Sequence, residues 1–545
     1  MPSIKLSVTV RSALVAKYSA SALTKIDTAL KAWVTADLKR GLTNLLVALD
    51  DAPAMQAQGC TAIKGKVTPA KAKRAIDALA AKLKPDYIVI LGGHDVLPSF
   101  VVPNPSYDPS GDTDPTVPTD NPYACTRRFI AKTLKSYLVP DRVLGRIPDL
   151  PANAGAGDPI WLLTALKTAT GWTSKARTFY AQAYATCCDE WKGAGQATMQ
   201  YLGLPVADLM ISPPTQDATA LARKRLARSL QFTKCHGSPL DAHFYGQKGG
   251  SYPEVLFSST VKSQVKPGTL AAAMCCYGAQ VYAPTDPAAQ PFGALPLSMA
   301  YLQAGAVGFV GSTMIAWVGQ EQMMCADWIV ASYLKKSLEG ASLGRSLLEA
   351  KQDYLQYLAS QGQAPDTADE KTMIEFMLLG DPSLQPVTLA ANVPAAKPGK
   401  VAAKAQKTAH AAQAAQRSGR RIARAAMAVQ VTKSMPHRVH EAPPTSAAAR
   451  GLFKSVSGLL SERDLAVLQP NRARASRLVA ASAAAAPTTS GGLSATAARG
   501  RSQVDSIEYT WTGRHEREGQ VHIRLLKVQT DTEGNVLRSR LLHSA

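Results

Sequence analysis

Short, uninterrupted apolar runs closed by glycine constrain this chain more than any other feature. Tyr87-Ile88-Val89-Ile90-Leu91 ends in Gly92-Gly93, and Phe376-Met377-Leu378-Leu379 ends in Gly380-Asp381-Pro382. Gly305-Ala306-Val307-Gly308-Phe309-Val310-Gly311 carries its glycines inside the run, and Val143–Pro148 makes a further short strand with an exit turn. Runs of this length read as strands buried on both faces. Helix-period stretches separate them, at 159–192, 220–229, 298–303, 320–338 and 342–359. Strands alternating with helices over some 300 residues predict a parallel α/β sheet.

Two of these runs end in reactive side chains. Phe232-Thr233-Lys234-Cys235-His236-Gly237 comes first, followed by Leu270-Ala271-Ala272-Ala273-Met274-Cys275-Cys276-Tyr277-Gly278. Thiol and imidazole at neighbouring strand ends can meet at the carboxyl edge of a parallel sheet, where such folds place their chemistry. A thiol attacks a carbonyl as thiolate, and a nearby imidazole is the usual activator. Glycine beside each lets the backbone turn sharply and aim N–H groups at an oxyanion. Adjacent strand residues point to opposite faces, so one cysteine of the pair is expected to be a buried hydrophobe. Cys276 is favoured as nucleophile, because it directly precedes Tyr277-Gly278-Ala279, where the strand turns outward. Cys275 is the alternative. His94 and His243 read as loop histidines held by backbone groups.

Around this core the composition is uneven. The chain has 545 residues and a formal net charge of +21, and residues 391–545 hold 24 Lys and Arg against 9 Asp and Glu. Most of the excess positive charge therefore belongs to the tail. Residues 1–84 read as mostly helical, with Thr68-Pro69 as the cap and first position of a helix that Pro85 stops. Residues 85–158 contain an Asp- and Pro-rich loop over 103–122. Residues 391–502 are an Ala/Arg-rich linker whose composition cannot bury enough surface to offset chain entropy. Residues 503–545 are a small β-type terminal segment, in which Ile507–Trp511 and Val521–Leu525 alternate like a hairpin.

The eight cysteines include no CxxC and no regular spacing, so neither a zinc site nor a disulfide framework is expected, and free thiols in a reducing compartment are. Lys5, Arg11 and Lys17 interrupt any N-terminal apolar segment, and no run reaches the roughly 18 apolar residues of a transmembrane helix. A cytoplasmic protein is expected, with leaderless secretion left open. The run Arg417-Ser418-Gly419-Arg420-Arg421-Ile422-Ala423-Arg424 offers charge for an anionic partner such as nucleic acid or a membrane surface. Few aromatics accompany it, so base stacking has no support and a solvated linker is the simpler reading. A nucleotide site around Leu91-Gly92-Gly93 lacks both a GxGxxG and a P-loop lysine.

His-Gly followed by Cys-Tyr-Gly resembles the caspase-like clan of cysteine peptidases, and within it the gingipain family. Leu91-Gly92-Gly93, Gly145-Arg146-Ile147-Pro148, Gly311-Ser312-Thr313 with Trp317, and Gly380-Asp381-Pro382-Ser383-Leu384 follow that family's order over roughly residues 85–390. The resemblance implies a caspase-like parallel-sheet sandwich, with 85–158 as a smaller α/β subdomain and 159–390 as the catalytic one. It implies a cysteine endopeptidase acting on protein or peptide substrates. It implies His236 as general base, Cys276 as nucleophile, and the N–H of Gly237 in the oxyanion hole. It further implies Gly311, Ser312 and Thr313 as the substrate-facing strand, with Trp317 near the specificity pocket. No cofactor is required by that chemistry, although relatives can bind structural calcium. Two departures stand out: Cys235 occupies a position that is commonly glycine, and a Cys-x-x-Gly spacing would select Cys275. An acid of the Asp-rich loop, such as Asp120, is the candidate to orient the imidazole; Asp241 is closer in sequence but reads as a turn former, and the group's identity stays open. A caspase-like module that has lost its dyad geometry and serves protein interaction is the alternative function.

Overall fold

The structure is a computed structural model that describes residues 3–152, 157–217, 219–289, 294–388, 437–440, 446–470, 473–479, 506–517, 520–531 and 533–544. Its centre is a ten-stranded sheet in the order β2-β1-β3-β6-β16-β14-β13-β9-β7-β8. The strands are β1 (Ser3–Thr9), β2 (Leu42–Ala48), β3 (Tyr87–Leu91), β6 (Leu144–Ile147), β7 (Ala183–Cys188), β8 (Leu209–Ser212), β9 (Leu230–Lys234), β13 (Leu270–Ala273), β14 (Gly308–Ser312) and β16 (Phe376–Leu379). From β2 to β16 every neighbouring pair is parallel, and from β14 to β8 likewise. The two blocks meet antiparallel, with Ser312 opposite Phe376. The carboxyl edge of the second block therefore lies beside the start of β16. Helices flank the sheet, making the expected α/β sandwich.

Smaller sheets surround this edge. A hairpin pairs β4 (Phe100–Pro103) with β5 (Thr116–Thr119) inside the Asp-rich loop. Three strands, β10 (His236–Gly237), β11 (His243–Tyr245) and β12 (Glu254–Phe257), follow β9. A six-stranded sheet runs β15-β21-β20-β19-β18-β17. Its members are β15 (Trp317–Val318), β17 (His437–His440), β18 (Arg474–Val479), β19 (Ser506–Arg517), β20 (Gln520–Asp531) and β21 (Val536–Ser544).

Local chemistry explains the elements that were foreseen. Thr68 caps the helix Pro69–Leu83 by accepting from Lys71 N–H, with proline in the first turn, and Ile76 and Leu79 are buried. Tyr87–Leu91 is a strand whose last four residues are buried. The hairpin expected near 507–525 exists, but its strands are longer and a third, β21, completes it.

Three regions differ from the expectation. One is 391–502, read as a linker, whose described residues include the helices Ser446–Val456 and Glu462–Val467 and the strands β17 and β18, with Phe453 and Leu468 buried. Residues 1–84 supply β1 and β2 as well as helices. Their polar residues hide the pattern: Lys5 is fully buried because it pairs with Asp37 and with Asp381 at 2.7 Å, and Ser7 bonds Asn44. Within 159–192 the helix ends at Gly171 and β7 begins at Ala183. The small residues of Ala183-Tyr184-Ala185-Thr186-Cys187-Cys188 pack as a fully buried strand that periodicity alone does not separate from helix. The basic run at 417–424 lies outside the described residues. Among the described residues no helix is long and apolar enough to cross a membrane.

Candidate active site

Strands β9 and β13 lie side by side in register, Thr233 opposite Ala273. The ladder extends one residue further, as Met274 N–H donates to the Thr233 carbonyl at 2.8 Å. Beyond it both chains leave the sheet. His236 pairs with Tyr245 in the small three-stranded sheet, while Cys275 and Cys276 begin a turn. The two departing segments touch. A β-carbon on Gly237 would fall 2.0 Å from the Cys276 carbonyl oxygen, so only glycine lets these backbones approach. Sheet topology thus brings the His-Gly and Cys-Cys-Tyr segments together.

Strand β14 and its extension hold the cysteine turn from the other side. Tyr277 N–H donates to the Met314 carbonyl (2.9 Å) and Ala279 N–H to Ser312 (2.8 Å). At Gly311 a β-carbon would sit 2.9 Å from Ala279 N. Tyr277 has φ of 56°, a left-handed conformation that is costly for a non-glycine residue and often found at functional sites. Its hydroxyl is anchored on Asp114 at 2.9 Å. Thr313 Oγ1 donates to the Pro118 carbonyl and Thr313 N–H to that of Glu375. Trp317 is fully buried in β15.

The adjacent cysteines face different surroundings. Cys275 is enclosed in the core, where its thiol lies 3.4 Å from the Thr233 carbonyl and beside Cys235, and burial pushes its pKa well up. Cys276 turns toward the β14 extension, and its Sγ accepts the Ala316 N–H at 3.3 Å. Burial raises the Cys276 pKa too, against the lowering effect of the Ala316 bond and of Lys371; Glu375 and Asp112 raise it further.

His236 is buried among aromatic rings. Its Nε2 donates to Gln247 Oε1 at 2.7 Å, and Gln247 Nε2 in turn donates to the Tyr252 hydroxyl. The ring meets Trp191 edge-on at 4.5 Å and His522 at 4.4 Å. Burial lowers its pKa to about 3, the Gln247 bond opposing the shift and His543 and Arg524 adding to it. Imidazole and thiol are therefore both neutral near pH 7, and no hydrogen bond joins His236 to Cys276 among the described residues.

The two acids weighed from the sequence as orienting groups are committed elsewhere. Asp120 forms a two-pronged ion pair with Arg146 (both contacts 2.7 Å) and accepts from Ser99. Asp241 bonds the His243 ring and the Tyr245 hydroxyl. Gln247 takes the place beside His236 instead, from a Gly246-Gln247-Lys248-Gly249 loop that carries no distinguishing signal. Glu375, Trp191, His522 and His543 also escaped the sequence reading, since each reaches the site from a distant element. In the Asp-rich loop Asp112 is paired with Lys371, Asp108 accepts from Thr512, and Asp114 holds Tyr277. Among the described residues no cluster of His, Cys, Asp or Glu is arranged to hold a metal ion.

Residues 232–387 match the model of peptidase family C25. This C25 segment runs from β9 past β16 and contains both His236 and Cys276. The resemblance to gingipain-like peptidases read from the motifs is borne out over this segment, which is similar to a peptidase family. Among solved structures, a protease is similar over 73% of this chain and 83% of its own, at 15% identity and a TM-score of 0.48. The Saccharomyces cerevisiae separase–securin complex is similar over 61% of this chain and 18% of that chain, at 11% identity and a TM-score of 0.25. No curated protein matches the chain.

Proposed function

We propose that this chain is a cysteine endopeptidase in which Cys276 is the nucleophile and His236 the general base. The observation that carries the reading is the contact of Gly237 with the Cys276 carbonyl within the C25 segment. In the reaction, His236 takes the Cys276 proton and the thiolate attacks a peptide carbonyl. The N–H groups of Gly237 and Cys276 stabilise the oxyanion. The amine leaves with the proton from His236, giving a thioester. Water, deprotonated by the same imidazole, then hydrolyses it and restores the thiol. Gly311, Ser312 and Thr313 line the substrate strand, with Trp317 beyond them. The substrate is a protein or peptide.

For this cycle the other ring nitrogen, Nδ1, must come within reach of the thiol while Nε2–H stays on Gln247, because a neutral, separated pair supplies no thiolate. The test is labelling by a thiol-reactive peptide probe and hydrolysis of a mixed peptide library. Cys276→Ala is expected to abolish both and Cys275→Ala to retain both. Loss in Cys275→Ala with undiminished activity in Cys276→Ala transfers the nucleophile to its neighbour.

A further inference from the structure

We propose that the C-terminal sheet is an intramolecular cap, with β21 occupying the strand position that a peptide substrate must take beside β15. This rests on the cysteine-peptidase reading above. Extended peptides bind such sites by adding a strand to an open edge, where main-chain hydrogen bonds supply affinity. Here the edge is filled by the chain itself. Trp317 pairs with Ser544 and Val318 with His543, antiparallel, immediately after the segment that holds the Cys276 turn. From the neighbouring strand, His522 lies against the His236 ring and stacks on Tyr252 at 4.2 Å. His236, Gln247 and Tyr252 thus share one cavity wall with His522, Arg524 and His543 of the cap.

The cap is latched rather than merely resting on the site. Ile523, Leu525 and Leu542 are buried in the same apolar core as the catalytic strands. Arg540 is 3% exposed at its side chain and pairs with Asp366 (2.7 Å) and Asp369 (2.9 Å). Its guanidinium also donates to Cys325 Sγ at 3.1 Å. Lys527 pairs with Asp366 at 3.2 Å. Asp366 and Asp369 form the capping box of the helix Thr367–Glu375, which ends at Glu375 behind the cysteine turn. One short helix is therefore gripped by the cap at its start and faces the site at its end. At the other flank Thr512 fills the space over Gly111 and bonds Asp108 at 2.7 Å.

The experiment compares full-length wild type with Arg540→Glu, which sets like charge against Asp366 and Asp369, and with Lys527→Glu/Arg540→Glu. Three quantities are read: amide exchange over residues 536–544, alkylation of Cys276 by iodoacetamide with buried Cys125 as internal reference, and hydrolysis of a mixed peptide library. Release of residues 536–544 is expected to raise both Cys276 alkylation and hydrolysis about tenfold or more, with Cys125 unchanged. Release with faster alkylation but no hydrolysis in any form keeps the cap and overturns the peptidase reading. Release with hydrolysis equal to wild type keeps the peptidase and overturns the cap. Release that leaves Cys276 alkylation unchanged, or protection of 536–544 that survives both variants, also overturns the cap.

Discussion

The two parallel blocks of the central sheet differ in how completely they pair their buried polar groups. In the first block they are paired. Lys5 lies between Asp37 and Asp381, and Trp33 donates to the same Asp381. Arg146 is held by Asp120, by Ser99 and by the carbonyls of Gly92 and Leu97. At the carboxyl edge of the second block Lys234 pairs with Asp327, but among the described residues other buried groups stand without hydrogen-bond partners: one oxygen of Asp112, the indole N–H groups of Trp191 and Trp317, both nitrogens of His522 and Nε2 of His543. A buried polar atom without a partner costs free energy, and the fold tolerates it where function requires it. One block is scaffold, and the other ends at the proposed site.

The strongest way to break that contrast is to unpair the scaffold. Asp120→Ala leaves Arg146 as a buried charge with only neutral acceptors, which is expected to cost ~3–5 kcal/mol. Denaturant melting should show the loss, and the fraction still folded should keep its Cys276 alkylation rate. Wild-type stability in this variant would mean that the first block does not depend on its pairs.

A somewhat smaller effect of opposite sign is expected at the site edge. Burial raises the Glu375 pKa to about 8, with Asp112 and Asp114 adding to the shift and Lys371 opposing it. Above an ordinary carboxyl pKa the unfolded chain gives up this proton while the folded chain keeps it. Stability is therefore unaffected at low pH and falls as pH rises from about 4.5 to about 8. Glu375→Gln should remove that penalty, gaining ~2–4 kcal/mol at pH 8 and little at pH 4. Identical pH–stability curves for the two proteins would show that Glu375 is solvated or paired, and the contrast between blocks would shrink accordingly.

This contrast also marks how far the sequence can be read. Apolar runs closed by glycine announced β3, β13, β14 and β16, because parallel strands covered on both faces leave a continuous signature. The His-Gly and Cys-Cys-Tyr-Gly segments were legible for a related reason: each stands at a strand end, and their spacing fits neighbouring strands. Strand β1 was not legible, since Lys5 and Ser7 look exposed until partners 32 to 376 residues away are known. The orienting group was missed for the same cause. Asp120 looked available in sequence, whereas its carboxylate answers a buried Arg146 that no local pattern links to it. The cap is the extreme case. Alternation in 507–525 revealed strands, yet alternation says nothing about which edge they join.

The smallest expected effect concerns the seam between cap and site. Burial pushes His522 well below the ordinary 6.5, with the nearby His236, His515 and Arg524 lowering it further, and its stacking partner is Tyr252. A histidine whose folded pKa is depressed contributes its stability fully above pH 6.5, where both states are neutral. It loses that contribution as pH falls, because the unfolded or detached ring takes the proton first. At pH 5 the lost contribution is about 2 kcal/mol for one such ring, an upper bound where water reaches it. Hydrogen exchange over residues 520–531 and 536–544, corrected for the intrinsic pH dependence of amide exchange, should therefore show lower protection at pH 5 than at pH 7.5. His522→Phe keeps an aromatic ring against Tyr252 and His236 but cannot be charged, so it should flatten the difference in part. His236 and His543 retain the remainder, since burial depresses both, each to about 3. A cap whose exchange does not respond to pH in wild type would show that these rings are already hydrated, and that the seam is open where the unpartnered nitrogens suggest it is closed.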